Sequence, residues 1–303
     1  MLYINKIALF DTINHPTPIL KEWGVGFADL GYNVDFFPIQ HYNILACGDE
    51  YDLIVYAGDL NYETFYKFKN KSPNTIIVCA ANELIDYAPY KGIIDFFINI
   101  HNSNLTLKQH VNKCGFELYQ IPLAGNDHLF YPLIATEKYD VCFIGGLGHG
   151  YRHEDKYLYP LLDDPKLKCF LAGMTYGQYY NIPFIKYKES NEIRNQTKIN
   201  INFHYDFQKP NNITSRIDLN ESVFNIALSG RFQICDHPLA AELFDNKIIL
   251  ADETNWLDVI NYYLHHDEER KILEHKARKI AIEKHTWKVR MQEFITILCN
   301  HYD

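Results

Sequence analysis

The sequence lacks any apolar run long enough to cross a bilayer. Its longest, Thr75 to Ala81 and Gly92 to Ile100, are short or interrupted, whereas a span needs about 20 mainly apolar residues. The opening MLYINKIALFDT has no basic region followed by a cleavable apolar stretch, so the expected location is the cytoplasm, of a cell or of an infected cell. There is no cysteine framework either. The seven cysteines (Cys47, Cys79, Cys114, Cys142, Cys169, Cys235 and Cys299) are odd in number and never spaced CxxC, so most are expected to be reduced and buried as small apolar residues. An excess of positive charge is missing as well: the net charge is −9, which argues against a duplex nucleic-acid surface, whose backbone contacts depend on clustered Lys and Arg. Finally, no HExxH or comparable ligand pair occurs among the histidines. His149 and His153 flank a glycine-rich turn rather than one helix face, so no metal site is expected.

What is present is the composition of an ordinary globular protein, 303 residues with 47% hydrophobic and 15% aromatic side chains, enough for two modest cores or one large one. In the first half, short β-branched or aromatic runs alternate with amphipathic stretches, as a wound parallel sheet requires. Strands are expected at Lys6 to Phe10, Asn33 to Pro38, Leu53 to Ala57, Thr75 to Cys79, Ile94 to Ile98 and Glu117 to Ile121. Between the first two lies PTPILKEWGVGFADLGYNV, whose prolines suit a helix start and whose Gly31 suits its stop. Gly24 and Gly26 within it fit close helix-to-sheet packing or, alternatively, backbone approach to a ligand.

From Pro122 to Lys138 periodicity fails and prolines appear, which reads as a linker. A second alternating series follows, with strands expected at Tyr139 to Ile144, Leu167 to Leu171, Ile182 to Tyr187, Ile199 to Phe203, Phe232 to Cys235 and Lys247 to Leu250. The chain ends in strongly helical sequence, where Asp267 can cap a helix with Glu268 and Glu269 in its first turn. The resulting expectation is α/β: a Rossmann-like domain over 1–130, a second over 131–285, and a terminal helix over 286–303 crossing back to the first, with ligands at the carboxyl ends of strands.

Two segments carry chemistry. In YDVCFIGGLGHGYRHEDKYLYPLL a buried-type strand runs into Gly145 and Gly146 and then towards a helix bearing Arg152. Glycines let the backbone approach a phosphate, and a helix N-terminus presents amides and positive potential to it. The run is not an orderly GxGxxG, so phosphate loop and tight turn both remain open. In ININFHYDFQKPNNITSRIDLNESVFNIALSGRFQICD a strand ends at His204, a polar loop brings Lys209 and Arg216, and a helix begins near Asn220. Arg216 and the helix start would neutralise a diphosphate, while Glu221 or Asn225 could accept from ribose hydroxyls. Asn220 and Glu221 also suit plain capping. Tyr187 suits either stacking on a base or an aromatic core.

The stretch from about Leu118 to Leu298 resembles the CgeB-like glycosyltransferases, a spore-maturation-associated family of GT-B type. The matching motifs are IPLAGNDHLFYP, YDVCFIGG with YRHE, ININFH, SVFNIALSGRFQICD, INYYLHHDEER and KHTWKVRMQEFI, in that order. The resemblance implies two Rossmann-like domains facing a central cleft and a nucleotide sugar, UDP- or GDP-linked, held by the C-terminal domain. It also implies transfer of a hexose to a glycan, lipid-linked or protein acceptor, with no cofactor or obligatory metal. Relatives often carry Arg-x-Phe-Glu where this chain has Ser222, Val223, Phe224 and Asn225, and the Glu, seven residues, Glu signature of many retaining relatives is absent. Transfer with inversion needs a base for the acceptor hydroxyl, expected from the strand ends of the first domain: Asp11, His15, Asp59, and Glu83 or Asp86. His15 suits the task as a neutral imidazole, and Asp11 also suits a turn cap. Two other readings stand beside this one: a degenerate binder of sugar nucleotide or glycan, and a viral-type DNA base glucosyltransferase.

Overall fold

The computed structural model describes residues 3–12, 19–81, 84–99, 105–146, 157–173, 183–204 and 219–302. They form two compact units, Met1–Pro122 together with Trp287–Asp303, and Leu123–Thr286.

The first unit is built on six parallel strands: β1 (Lys6–Asp11), β2 (Asn33–Pro38), β3 (Leu53–Tyr56), β4 (Ile76–Ala80), β5 (Phe96–Asn99) and β6 (Leu118–Gln120), in the order β2-β1-β3-β4-β5-β6. Every residue of β4 and β5 is buried, as expected of a parallel strand covered by helices on both faces. Helix α1 (Ile19–Asp29) is followed by Gly31 at φ +90, the left-handed conformation that ends helices without a Cβ penalty. Asn61 caps α2 (Tyr62–Lys71) by accepting from the Thr64 N–H at 3.0 Å, and α3 (Leu105–Lys113) completes the crossovers. The terminal helix α10 (Trp287–Tyr302) lies on α1: Phe294 meets Trp23 and Phe27, with ring centroids 5.4 and 5.8 Å apart. A Cβ on Gly26 would sit 2.4 Å from the Trp287 carbonyl oxygen. Close packing is therefore what that glycine serves, although the partner is a helix rather than the sheet.

The second unit holds five parallel strands: β7 (Tyr139–Ile144), β8 (Cys169–Ala172), β9 (Thr197–Asn202), β10 (Gln233–Cys235) and β11 (Ile249–Leu250), in the order β11-β10-β9-β7-β8. Its helices among the described residues are α4 (Tyr159–Leu162), α5 (Tyr187–Asn195), α6 (Glu221–Leu228), α7 (Pro238–Leu243), α8 (Trp256–Leu264) and α9 (Asp267–Lys284). Both sheets thus share one winding, in which the first strand has the second on one side and the third on the other. The gap between first and third strands is the topological switch point, where connections leave in opposite directions and open a crevice at the carboxyl edge. In the first unit it lies between β1 and β3, in the second between β7 and β9.

The structure departs from the sequence reading in three places. Within Ile182 to Tyr187, residues 183–186 carry no strand and Tyr187 opens α5. There Glu189 accepts from the Lys186 N–H at 2.9 Å, and this capping contact outweighs the β-leaning PFIKY run. Residues 123–138 are no bare linker: they belong to the second unit, where Asn195 Oδ1 accepts from the Leu133 N–H at 2.9 Å and the Asn191 amide donates to the Tyr131 carbonyl at 3.1 Å. Asp267 is the first residue of α9 rather than its cap, which is His266. All seven cysteines are free, and Cys47, Cys79, Cys142 and Cys235 are buried. Among the described residues no helix is long and apolar enough to cross a membrane.

Candidate functional site

The two segments that the sequence singles out leave neighbouring strands on the same edge. Strands β7 and β9 pair with Val141 opposite Ile199 and Cys142 opposite Asn200. β7 then runs out into Gly145 and Gly146, and β9 into Phe203 and His204. Both therefore flank the switch point of the second sheet. Gly145 donates its N–H to the Ala172 carbonyl at 3.0 Å, prolonging the ladder with β8. Beside it Gly173 adopts φ +143, and a Cβ there would lie 1.9 Å from the Gly145 carbonyl oxygen. Only glycine permits that approach, so part of this turn is fixed by backbone packing.

His204 organises the other side. Its backbone N–H donates to both oxygens of Asp236, at 2.9 and 3.1 Å, and its ring Nδ1 lies 2.7 Å from Asp236 Oδ1. Ring Nε2 accepts from the Asn220 N–H at 3.3 Å. An acceptor at Nε2 assigns a proton to Nδ1, where it bridges to the Asp236 carboxylate and locks the ring. The next histidine repeats the device: His237 Nδ1 accepts from the Leu239 N–H at 3.2 Å and caps α7. Burial, then the neighbouring His204, push its pKa down, with Asp236 opposing. His204, Cys235 and Asp236 bring their donor atoms within 4.8 Å of one another, a set able to take a cation. As built, however, the imidazole and carboxylate share a hydrogen-bonded proton where an ion would sit, and burial, followed by the Asp236 charge, raises the Cys235 thiol pKa well above its usual range.

The start of α6 follows from this anchoring. Asn220 and Asn202 exchange amide hydrogen bonds, 2.9 Å in each direction, so the cap residue spends its side chain on the end of β9. Glu221 opens the helix. Ser222 Oγ accepts from Arg194 Nη2 at 3.4 Å. Asn225 is buried and its Oδ1 accepts from the Asn126 N–H at 3.2 Å, beside Gly125, where a Cβ would come within 3.1 Å of that same oxygen. Asn225 thus ties the 125–126 segment to α6. The Tyr187 ring packs edge-on against Phe130 with centroids 5.6 Å apart, in the aromatic-core arrangement. Arg152 and Arg216 lie outside the described residues.

In the first unit, Asp11 ends β1 and Asp59 follows β3, on either side of that unit's switch point. Asp11 is buried and accepts from the Thr12 N–H at 2.7 Å and the Leu20 N–H at 2.9 Å, so its carboxylate holds the entry to α1. Asp59 is exposed, and its backbone carbonyl accepts from the Tyr56 hydroxyl at 3.2 Å. Asp86 accepts from the Ala88 N–H at 3.0 Å and shapes a turn. His15 and Glu83 lie outside the described residues. Sequence reasoning missed Asn202, Asp236, His237 and Arg194. The first three had a signal, polar residues directly at strand ends in ININFH and QICDHP; Arg194, inside a charged helical stretch, had none.

Residues 152–296, slightly under half the chain, match the family model described as glycosyl transferase-like. No curated protein matches by sequence. Among solved structures the chain is similar to sucrose-phosphate synthase from Thermosynechococcus elongatus, with TM-score 0.65 and 11% identity over 98% of this chain and 99% of that one. It is also similar to Anabaena HepE in complex with UDP-glucose, at 0.60 and 11% over 97% and 99%. A third likeness is to a glycosyltransferase from Rickettsia africae ESF-5, at 0.62 and 10% over 99% of each. Identities this low speak to architecture, and the architecture is the GT-B fold: two parallel, helix-flanked sheets and a helical C-terminal tail.

Proposed function

We propose that this chain is a glycosyltransferase of CgeB-like type that moves a hexose from a UDP- or GDP-linked donor to a glycan, lipid-linked or protein acceptor. The observation that carries the reading is the convergence of Gly145–Gly146 and the His204–Asn220 anchor on one switch point, where doubly wound sheets bind nucleotides. Structures of HepE holding UDP-glucose, or UDP and glucose, lend support to a UDP-type donor. In the reaction the bond from the anomeric carbon to the β-phosphate oxygen breaks, leaving its electron pair on the diphosphate. The acceptor oxygen forms the new bond and its proton passes to a base. The positive end of α6 and the cations expected from the sequence, Arg216 and Arg152, would hold the departing charge, so no obligatory metal is required. The base comes from the loops of the first unit that carry Asp11, His15, Asp59 and Glu83. Of these, Asp59 combines exposure with a carboxylate that makes no hydrogen bond among the described residues.

Incubation with a panel of sugar nucleotides tests the reading: nucleoside diphosphate should be released, and chelator-treated enzyme should keep its rate. Absence of any release, or complete dependence on added manganese, would overturn the activity or its metal independence respectively. One observation favours a second reading, a binder without turnover: Ser222 and Asn225 stand where relatives often carry arginine and glutamate, and Asn225 is committed internally. Thermal stabilisation by a sugar nucleotide with no product would select that reading.

A further inference from the structure

Arg194, in the last turn of α5, is 3% exposed. Its Nε donates to the Ser190 hydroxyl at 3.3 Å and its Nη2 to the Ser222 hydroxyl at 3.4 Å. Among the described residues those two neutral hydroxyls are its side-chain hydrogen-bond partners, and no carboxylate pairs with it. The other two buried arginines among the described residues are treated differently: Arg270 has Asp267 and Arg290 has Glu293. Burial lowers the Arg194 pKa to about 10, with the Cys142 thiol opposing, so the group remains a cation at neutral pH. A buried charge without a counter-charge is among the costliest arrangements a protein interior tolerates. Five donors in a rigid fork, two of them on neutral hydroxyls, leave capacity for an anion with several oxygens.

The position of the guanidinium indicates which anion. It meets Ser222, the second residue of α6. The α6 cap residue Asn220 makes no side-chain bond to the helix's amides, because that amide group is engaged by Asn202. Helix N-termini carry unpaired N–H groups and positive potential over the first turn. A buried, carboxylate-free guanidinium and a helix start without a side-chain cap thus meet beside the carboxyl end of β9.

We propose that Arg194 and the first turn of α6 form the receptor for the diphosphate of the nucleotide, with Arg194 as the binding cation. This rests on the sugar-nucleotide reading above and adds to it the residue that takes the charge. Arg194 supplies from α5 a guanidinium at position 222, where the chain itself carries only a hydroxyl. The unliganded protein is then under-compensated at this point, and the diphosphate supplies the missing counter-charge.

Inorganic pyrophosphate serves as the first probe, since it lacks base and sugar. It should raise the wild-type Tm relative to chloride at matched ionic strength, and Arg194→Met should lose that rise while keeping or raising its own unliganded Tm. For UDP and GDP, Arg194→Met should weaken binding by about tenfold or more. Equal pyrophosphate shifts in wild type and Arg194→Met would overturn the proposal. Should that variant not fold, hydrogen exchange on the wild type decides: pyrophosphate should protect residues 187–195 and 221–228, and unchanged exchange in both contradicts the assignment. The two readings fail separately. Pyrophosphate binding through Arg194 without sugar-nucleotide binding would leave the anion receptor standing and remove the transferase; normal turnover and donor KM in Arg194→Met would do the reverse.

Discussion

The two units wind their sheets in the same order yet fill them with different chemistry. The first is packed by apolar side chains such as Phe10, Ile54, Ile77, Phe97 and Val111; of its buried polar groups, Asp11 and Asn99 sit at strand ends, and Glu22 and Arg290 on helices α1 and α10. The second buries a polar layer between α5, α6 and its strands: Asn191, Asn195, Asn200, Asn225, Ser229 and Gln233. Ser229 Oγ donates to Asn191 Oδ1 at 2.8 Å, Asn195 donates to Asn191 and to the Tyr131 carbonyl, and the Gln233 amide donates to the Val223 carbonyl at 2.8 Å. Hydrophobic packing is non-directional, whereas a hydrogen-bond network fixes orientation. The first unit therefore reads as a scaffold for its loops, and the second as a frame that sets the start of α6 against β9, as a binding site made of backbone amides requires.

The sharpest way to break that contrast is to remove one member from each interior. Phe97→Ala should destabilise the protein by about 3–5 kcal/mol through transfer and cavity terms, with the donor KM of the remaining folded protein unchanged. Asn195→Ala should cost less, about 2 kcal/mol, because it strips the Leu133 N–H of its acceptor, yet it should raise the donor KM as α5 and α6 loosen. Chemical denaturation combined with donor titration checks both, and equal effects on KM would dissolve the distinction.

Glycine substitutions probe close approach on the two sides. Gly173→Ala should cost about 1–3 kcal/mol by overpacking and also weaken nucleotide binding, since the clash falls on the Gly145 backbone. Gly26→Ala, colliding with Trp287 instead, should lower Tm without touching binding. Calorimetry with and without UDP separates the two.

The smallest expected effect is on pH dependence. The folded-state pKa of His237 is depressed, mainly by burial, so the unfolded chain takes up a proton at a higher pH than the native one. Stability from this group is complete above the unfolded value near 6.5 and declines as pH falls through it towards the folded value. The Tm of wild type should therefore fall between pH 7.5 and 5.5 by more than that of His237→Asn, which keeps a capping side chain without the titration; parallel profiles would assign the loss elsewhere.

The alternation of strands and helices was plain in the sequence because parallel strands buried on both faces are continuous β-branched and aromatic runs. Tyr139–Ile144 is read to the residue; so is Asn33–Pro38, although it is an edge strand with none of its residues buried. The failure at Ile182 to Tyr187 has the same root: PFIKY carries strand composition, and nothing local reports that the sheet is already complete without it. The site was legible in outline, as glycines and a polar loop after strands, since strand ends are where polar residues interrupt apolar runs. Its wiring was not. That Asn225 bonds Asn126, that His204 bonds Asp236, and that Arg194 reaches Ser222 are pairings across 99, 32 and 28 positions, and a single sequence carries no signal for which distant polar groups meet.

The central claim is that a diphosphate sits at the switch point of the second sheet. A crystal structure of the protein soaked with UDP or GDP tests it most directly. The account predicts phosphate oxygens against the Gly145–Gly146 turn and the first turn of α6. A nucleotide bound elsewhere, or a β7/β9 edge left empty at saturating ligand, would contradict it.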